Sequence, residues 1–452
     1  MYIEFPMINV PKFHTLVRRR FRMPYAQFIQ LLRDAEEKNW FPRWNRWNSR
    51  SPLSLLLLGA LRYLGRGWTF DDLEEQTLIS TEVHRNFFHE FIKVGAMILY
   101  DEYVGAPMTV EDCKSHVHEF KMAGFNGCIG SSDATHIAVE KCSYRLRNSH
   151  LGAKQHLTTR SFNLTCNHRR KILSVTVGMP GRWNDKTVVL FDRFVRGIYE
   201  GDHLLLYFNV AIISCVLLML SFNVFCKENV VPEFTFELLE KSRRSGRIIC
   251  QRYQGPWLIV DNGYLKWSTT VPPFKLSNLE KERRWSQWLE SLRKDVECTS
   301  GILKGRWHIL KIGIRLGGVE VADNIFKTCC ALHNWLLEID GLGSEWDGIN
   351  GQHEAADVLR HAPAPLQRLY INPAMMDLSG MGHGNDAEVE ERVMETNNHV
   401  DGAAINDEDA PETVRVVRHL SLNYFRSKLI EHFDILFQRK ELVWPSQRAS
   451  TN

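Results

Sequence analysis

The chain has 452 residues, 44% of them hydrophobic and 24% charged, with a formal net charge of +3. That length allows two or three domains and a well-buried core. The composition is that of an ordinary soluble globular protein, and a charge so close to zero excludes an overall polycation. The distribution of charge says more. Arg18, Arg19, Arg20, Arg22, Arg43, Arg46, Arg50, Arg62 and Arg66 crowd the first third, whereas residues 386–412 are densely acidic. This asymmetry points to a basic docking surface and an acidic tail. Ten cysteines are scattered without a CxxC pair, as suits a reducing compartment. Cys113, His116 and His118 lack the second ligand pair that zinc requires and read as surface residues. Cys329 and Cys330 lie in an apolar run and read as core. The first residues lack the basic-then-apolar order of a secretory signal.

Residues 25–40 have helical periodicity, with Phe28, Leu31, Leu32 and Ala35 on one face. Pro52 opens a strongly apolar helix that Gly65 and Gly67 close. Thr69 can cap a short helix whose first turn holds Asp71 and Asp72, next to the positive end of the helix dipole. A turn at Leu78-Ile79-Ser80 leads to a second helix over roughly 81–93. This is the order of a helix-turn-helix, which would offer His84, Arg85, Asn86, His89 and Lys93 to DNA. A helical hairpin that merely packs accounts for the pattern equally well.

From about residue 125 the pattern changes. CIGSSDATHIAVE, SFNLTCNHRR and KILSVTVGMPG are strand-like and rich in β-branched residues, with NHRRK joining the last two as a hairpin. Asn184–Tyr199 reads as helix, PWLIVDNGY as a buried strand, and 281–304 as a long helix carrying Trp285, Trp288, Leu292, Val296 and Leu303 on one face. Three strands, a helix, a strand and a helix is the order of an RNase H-like α/β core, a mixed sheet flanked by helices. The expected organisation is therefore a helical N-terminal region over 1–110 (helix-turn-helix at about 52–95) and an RNase H-like domain over 125–340. An acidic, disordered linker over 341–415 and an amphipathic C-terminal helix over 416–446 follow.

Between the expected helix and strand lies Leu204–Cys226, 23 residues without a charge. About 20 apolar residues suffice to cross a bilayer, so this run alone reads as a membrane span.

Three acids stand where phosphodiester chemistry on this fold would need them. Two divalent ions about 3.5–4 Å apart, held by carboxylates, activate water and stabilise the leaving oxygen. Hard cations such as Mg²⁺ take oxygen ligands. Asp133 lies inside an apolar strand, where an unpaired carboxylate is costly. Asp261 ends WLIVD before an Asn-Gly turn, and Glu297 borders the apolar stripe of the long helix. Arg293, Lys294, Lys304 and Arg306 surround Glu297 in sequence and could track phosphates.

The strings GSSDATHI, GMPGRWNDKTVV, IVDNGY, VECTSGILKGRW and CCALHNWL resemble the motifs of DDE transposases of the PIF/Harbinger superfamily, and the resemblance extends over roughly 52–340. It implies that Asp133, Asp261 and Glu297 are the catalytic acids and bind two Mg²⁺ or Mn²⁺ ions, with Asp185 a fourth acid and a further metal ligand. It implies that His136 orients Asp133 or contacts DNA, although a structural histidine fits as well. Implied too are a nuclear protein that cuts and joins DNA at terminal inverted repeats, a Myb-like accessory partner and a homo-oligomer. Where the family tends to have Phe-Gly after the glutamate, this chain has Cys298-Thr299-Ser300-Gly301, and the 36 residues from Asp261 to Glu297 are few for the superfamily. A membrane span at 204–226 would put Asp133 and Asp261 on opposite sides of a bilayer. The motifs thus favour an insertion, at about 203–231, over a span. The alternatives to a transposase are a catalytically inactive descendant that binds DNA or a partner and, on the apolar run alone, a membrane-anchored protein.

Overall fold

The computed structural model describes residues 6–44, 51–107, 109–152, 157–200, 234–242, 245–340 and 414–443. The apolar run at 204–226 and nearly all of the acidic 341–415 segment lie outside these. Among the described residues no helix is long and apolar enough to cross a membrane.

The N-terminal part is helical: α1 (Pro11–Phe21), α2 (Tyr25–Glu37), α3 (Leu53–Arg66), α4 (Phe70–Thr77), α5 (Thr81–Val94) and α6 (Tyr100–Tyr103), with a π-helical turn at Gly95–Leu99 before α6. Local chemistry sets the ends as the sequence suggests. Gly67 stops α3 in the left-handed conformation, and Thr69 with Asp72 forms a reciprocal capping box on α4. Leu78 turns the chain with φ +58° and is 92% exposed. Helix α7 (Val110–Met122) then leads into a mixed sheet.

Strand β1 (Cys128–Ala138) is its centre. It pairs antiparallel with β2 (Thr159–Cys166), which pairs with β3 (Ile172–Val175) and the short β4 (Met179–Pro180). On the other side β1 pairs parallel with β7 (Trp257–Ile259), and β7 with β8 (Thr270–Val271), giving the order β3-β2-β1-β7-β8. This mixed α/β arrangement is consistent with the RNase H-like expectation. Between β1 and β2 sits the short helix α8 (Tyr144–His150), and after β4 come α9 (Asp185–Val189) and α10 (Arg193–Glu200). The single helix expected over 184–199 is thus two, because the buried Asp192 carboxylate accepts the backbone N–H groups of Phe194 and Val195 and starts a new helix.

The sequence reading had no counterpart for a second sheet. Strands β5 (Thr235–Lys241) and β6 (Ile248–Gln254) form a hairpin, with β9 (Arg415–Val416) parallel to β6. Helix α11 (Glu280–Arg306) buries Trp285, Leu289, Leu292, Val296 and Leu303. Trp288 is partly exposed and packs edge-on against Phe433. A short α12 (Ile309–Ile312) leads to α13 (Val319–Ile339), whose inner face shares one apolar cluster with α1–α5 and β2. The N-terminal helices therefore share a core with the sheet. The C-terminal helix α14 (Leu422–Gln438) buries Phe425, Leu429, Ile430 and Phe433 against this chain's own second cluster, around Trp257 and Trp285. Each such side chain contributes roughly 1.5–3 kcal/mol.

Two expected surface residues are interior. Cys113 is fully buried, and His116 Nδ1 bonds Asn167 at 2.9 Å under enough burial to pull its pKa down to about 4. The reason is register: Cys113, Val117 and Phe120 form the inward stripe of α7.

Candidate active site

Strand register builds the site. In the parallel β1–β7 pair Ser131 is opposite Ile259. Asp133 stands two residues further along β1, and Asp261 two residues beyond the end of β7, close enough for its charge to act on Asp133. Asp261 Oδ1 accepts the Gly263 N–H at 2.8 Å, the side-chain-to-backbone turn that Asp favours. Gly263 gives the carboxylates room: a Cβ on it would lie 3.0 Å from Asp261 Oδ1 and 3.2 Å from Asp185 Oδ2, so one of them would have to shift. The same contacts show that the Asp261 and Asp185 carboxylates close on one glycine. Asp185 comes to that point as the first residue of α9, whose N-cap Asn184 accepts the Thr187 N–H.

Glu297 arrives from α11. It is exposed, and its Oε1 is 2.8 Å from Nη2 of Arg293, one turn earlier. Arg293 Nε also donates to Glu290 Oε2 at 2.9 Å, and Arg293 feels the charge of Asp133. Two ties seat α11 on the sheet beside the acids. Thr135 and Ser300 hydroxyls bond at 2.8 Å, and His168 in the β2–β3 turn meets the buried Asp295 at 2.6 Å.

The electrostatics of Asp133 follow from this crowding. Burial pushes its carboxyl up to about 7; Arg293 opposes the rise, while the negative charges of Asp261 and Glu297 add to it. A half-buried carboxylate facing two others with one guanidinium between them is short of positive charge. Lys304 supplies a little: its Nζ donates to the His136 carbonyl at 3.1 Å, and the charge of Asp133 partly offsets the burial that lowers its pKa. Among the described residues no group of three or more His, Cys, Asp or Glu side chains is arranged to hold a metal ion.

Behind the acids is a polar network that sequence reasoning missed. Tyr264 donates its hydroxyl hydrogen to Asn163 Oδ1, and Asn163 Nδ2 donates to Asp192 Oδ2 at 2.6 Å and to Ser132 Oγ at 2.9 Å. Burial raises the Asp192 pKa despite these bonds. The signal was present: Ser132 and Asn163 are buried polar residues inside strands, where they need hydrogen-bond partners.

Several expected contacts are placed elsewhere. His136 cannot orient Asp133, because strand alternation puts the two on opposite faces; its exposed ring faces Thr159 at 3.4 Å. His84 is 2% exposed, bonded to Thr77 Oγ1 at 2.8 Å and packed over Gly59, because it shares the inward face of α5 with Phe87, Phe88 and Phe91. Arg85 and Lys93 are exposed, and Asn86 and His89 partly so, but Arg85 and Asn86 both bond Glu82. Arg306 is turned away from the acids to Asp340, which Arg18 also meets.

Residues 238–343 match the family model described as plant transposon protein, a span that includes Asp261 and Glu297. Protein ALP1-like from Arabidopsis thaliana is 22% identical over 311 residues, covering 67% of this chain and 66% of the relative. Both matches support the resemblance to the PIF/Harbinger superfamily. The chain spans just under two thirds of the length of this curated relative. No solved structure matches it.

Proposed function

We propose that the chain is a DNA transposase or endonuclease of RNase H-like fold, with Asp133, Asp261 and Glu297 as its catalytic acids and Asp185 as a further metal ligand. The observation that carries this reading is the approach of Asp261, just past the end of β7, to Asp133 on the adjacent parallel β1, with Asp185 closing on the Asp261 turn. The all-oxygen donor set and its shortage of positive charge suit two Mg²⁺ or Mn²⁺ ions. When bound, such ions lower the pKa of an attacking water and stabilise the leaving oxygen. Asp133 and Asp261 supply the fixed ligands from the sheet. Glu297 completes the set from α11 once Arg293 releases it, and Lys304 lies close enough to steer a phosphate.

The substrates would be double-stranded DNA at terminal inverted repeats and a target site. A nuclear location, a Myb-like accessory protein and a homo-oligomeric state belong to the same proposal.

Glu297 paired to Arg293 favours a second reading, a non-catalytic descendant that binds DNA or a partner through the same frame. A cleavage assay on element ends with Mg²⁺ or Mn²⁺ separates the two. Wild-type protein is expected to cut, and Asp133→Ala to lose at least a hundredfold in rate while still folded. Equal activity in the two proteins, or none in folded wild type, sinks the catalytic reading.

A further inference from the structure

Residues 141–184 contain nine Lys or Arg and not one Asp or Glu over 44 positions. Three of those cations are satisfied by acids from elsewhere: Arg160 by Asp323, Arg169 by Glu119 and Lys171 by Glu338. The others named next are not. Lys141, Arg145 and Arg147 on and before α8, and Arg182 after β4, are all exposed, as is Lys186 on α9. None of the five has an ion-pair partner among the described residues. Tyr144, beside them, is 91% exposed and has no part in the core.

These residues form one surface. The Arg182 N–H donates to the Ser149 carbonyl at 3.2 Å, which ties the β4–α9 turn to the end of α8. The same turn reaches Asp185 three residues later, at most about 10 Å of chain. Lys186 is the next residue, so the basic face runs up to the Asp185–Gly263–Asp261 contact.

The comparison with α4–α5 decides between two candidate DNA surfaces. Residues 69–94 hold six carboxylates against Arg85 and Lys93, and Arg85 is already paired with Glu82. A phosphate backbone is repelled there and attracted at α8.

We infer that the α8 face, through Lys141, Arg145, Arg147, Arg182 and Lys186, binds the DNA backbone that leads into the acids, and that α5 does not. This rests on the DNA-cleaving reading above. Its test is therefore a binding measurement with EDTA present, where loss of binding is read separately from loss of cleavage.

Fluorescence anisotropy of the full-length chain with a labelled mixed-sequence duplex, over a range of salt, gives the slope of log K against log salt. Each phosphate contact contributes about 0.9 to that slope. The triple variant Arg145→Ala/Arg147→Ala/Arg182→Ala is expected to bind at least tenfold more weakly, with a slope shallower by about two to three. The corresponding Arg→Lys triple keeps the slope, and Arg85→Ala/Lys93→Ala leaves binding unchanged. All five positions are solvent-facing, and circular dichroism confirms that each variant is folded. An unchanged slope in the Ala triple overturns the inference, as does an equal loss in the α5 pair or no DNA binding by folded wild type. A poly-glutamate peptide of matched charge that competes as well as DNA would make the occupant an acidic chain, which overturns it too.

Discussion

Asp133 stands half-buried on a central strand and feels the negative charges of Asp261 and Glu297. Its pKa is held near 7 mainly by burial, so folding at pH 8 places a poorly solvated negative charge in the site. The sign follows from linkage: a carboxyl whose folded pKa lies above its unfolded one destabilises the fold at high pH. That penalty disappears as pH falls from 7 toward the unfolded value near 4. Asp133→Asn keeps the shape and removes the charge. Without metal it is expected to be more stable than wild type at pH 8, by on the order of 2 kcal/mol, with the difference gone at pH 4. Melting curves at the two pH values check this, and a variant no more stable at pH 8 would contradict it. Added Mg²⁺ or Mn²⁺ should raise the melting temperature of wild type but not of the variant, as binding to the folded state alone requires.

Among elements, the turn after β7 shows how a reactive group is fixed by residues that touch no substrate. Asp261 is clamped by the Gly263 N–H, and the turn is anchored through Tyr264 to Asn163 on β2, and through Asn163 to Asp192 at the start of α10. Tyr264→Phe leaves Asn163 Oδ1 without its donor in a buried setting, at a cost of about 1–3 kcal/mol. Asn163→Ala should cost at least as much. Because the two share one bond, a double-mutant cycle by urea denaturation is expected to show coupling above about 0.5 kcal/mol. Additive losses would mean that the two side chains act independently. This network also marks the limit of reading the sequence. β1, the β2–β3 hairpin, β7 and α11 were legible from periodicity, turn residues and the runs of apolar side chains. The inward faces of α5 and α7 were not, because a histidine on a helix is equally at home in water or bonded in a core. The α8 surface was missed for a related reason: its basic character lies in the absence of acids over a long stretch, which a search for motifs passes over.

In the whole molecule, a buried carboxylate ties the second sheet to the C-terminal helix. Glu240 on β5 is 3% exposed and accepts from Tyr253 on β6, from Arg415 at 3.1 Å and from Lys428 on α14 at 2.9 Å. Nearly two hundred residues of sequence separate Glu240 from Lys428, so this cluster closes a long loop and docks the C-terminal helix on the second sheet. Burial alone would raise the Glu240 pKa, but hydrogen bonds from Tyr253 and Lys428 and the charges of Lys428 and Arg415 bring it below the ordinary glutamate value. A depressed folded pKa contributes stability that is fully present above the unfolded value, about 4.3, and is lost as pH falls through the folded one. Glu240→Gln cannot carry the charge at any pH and leaves two cations facing a neutral amide. It is expected to cost about 3–5 kcal/mol at pH 7, the usual result of breaking one side of a buried ion pair. The gap from wild type should narrow as pH falls below the unfolded value and through the depressed folded one, where the wild-type carboxylate is itself protonated. Limited proteolysis tests where the loss falls, since release of α14 exposes the chain near residues 414–443 before the main sheet opens. Equal protection of α14 in wild type and variant would show that the apolar face of Phe425, Leu429 and Phe433 holds it without help from the charge cluster.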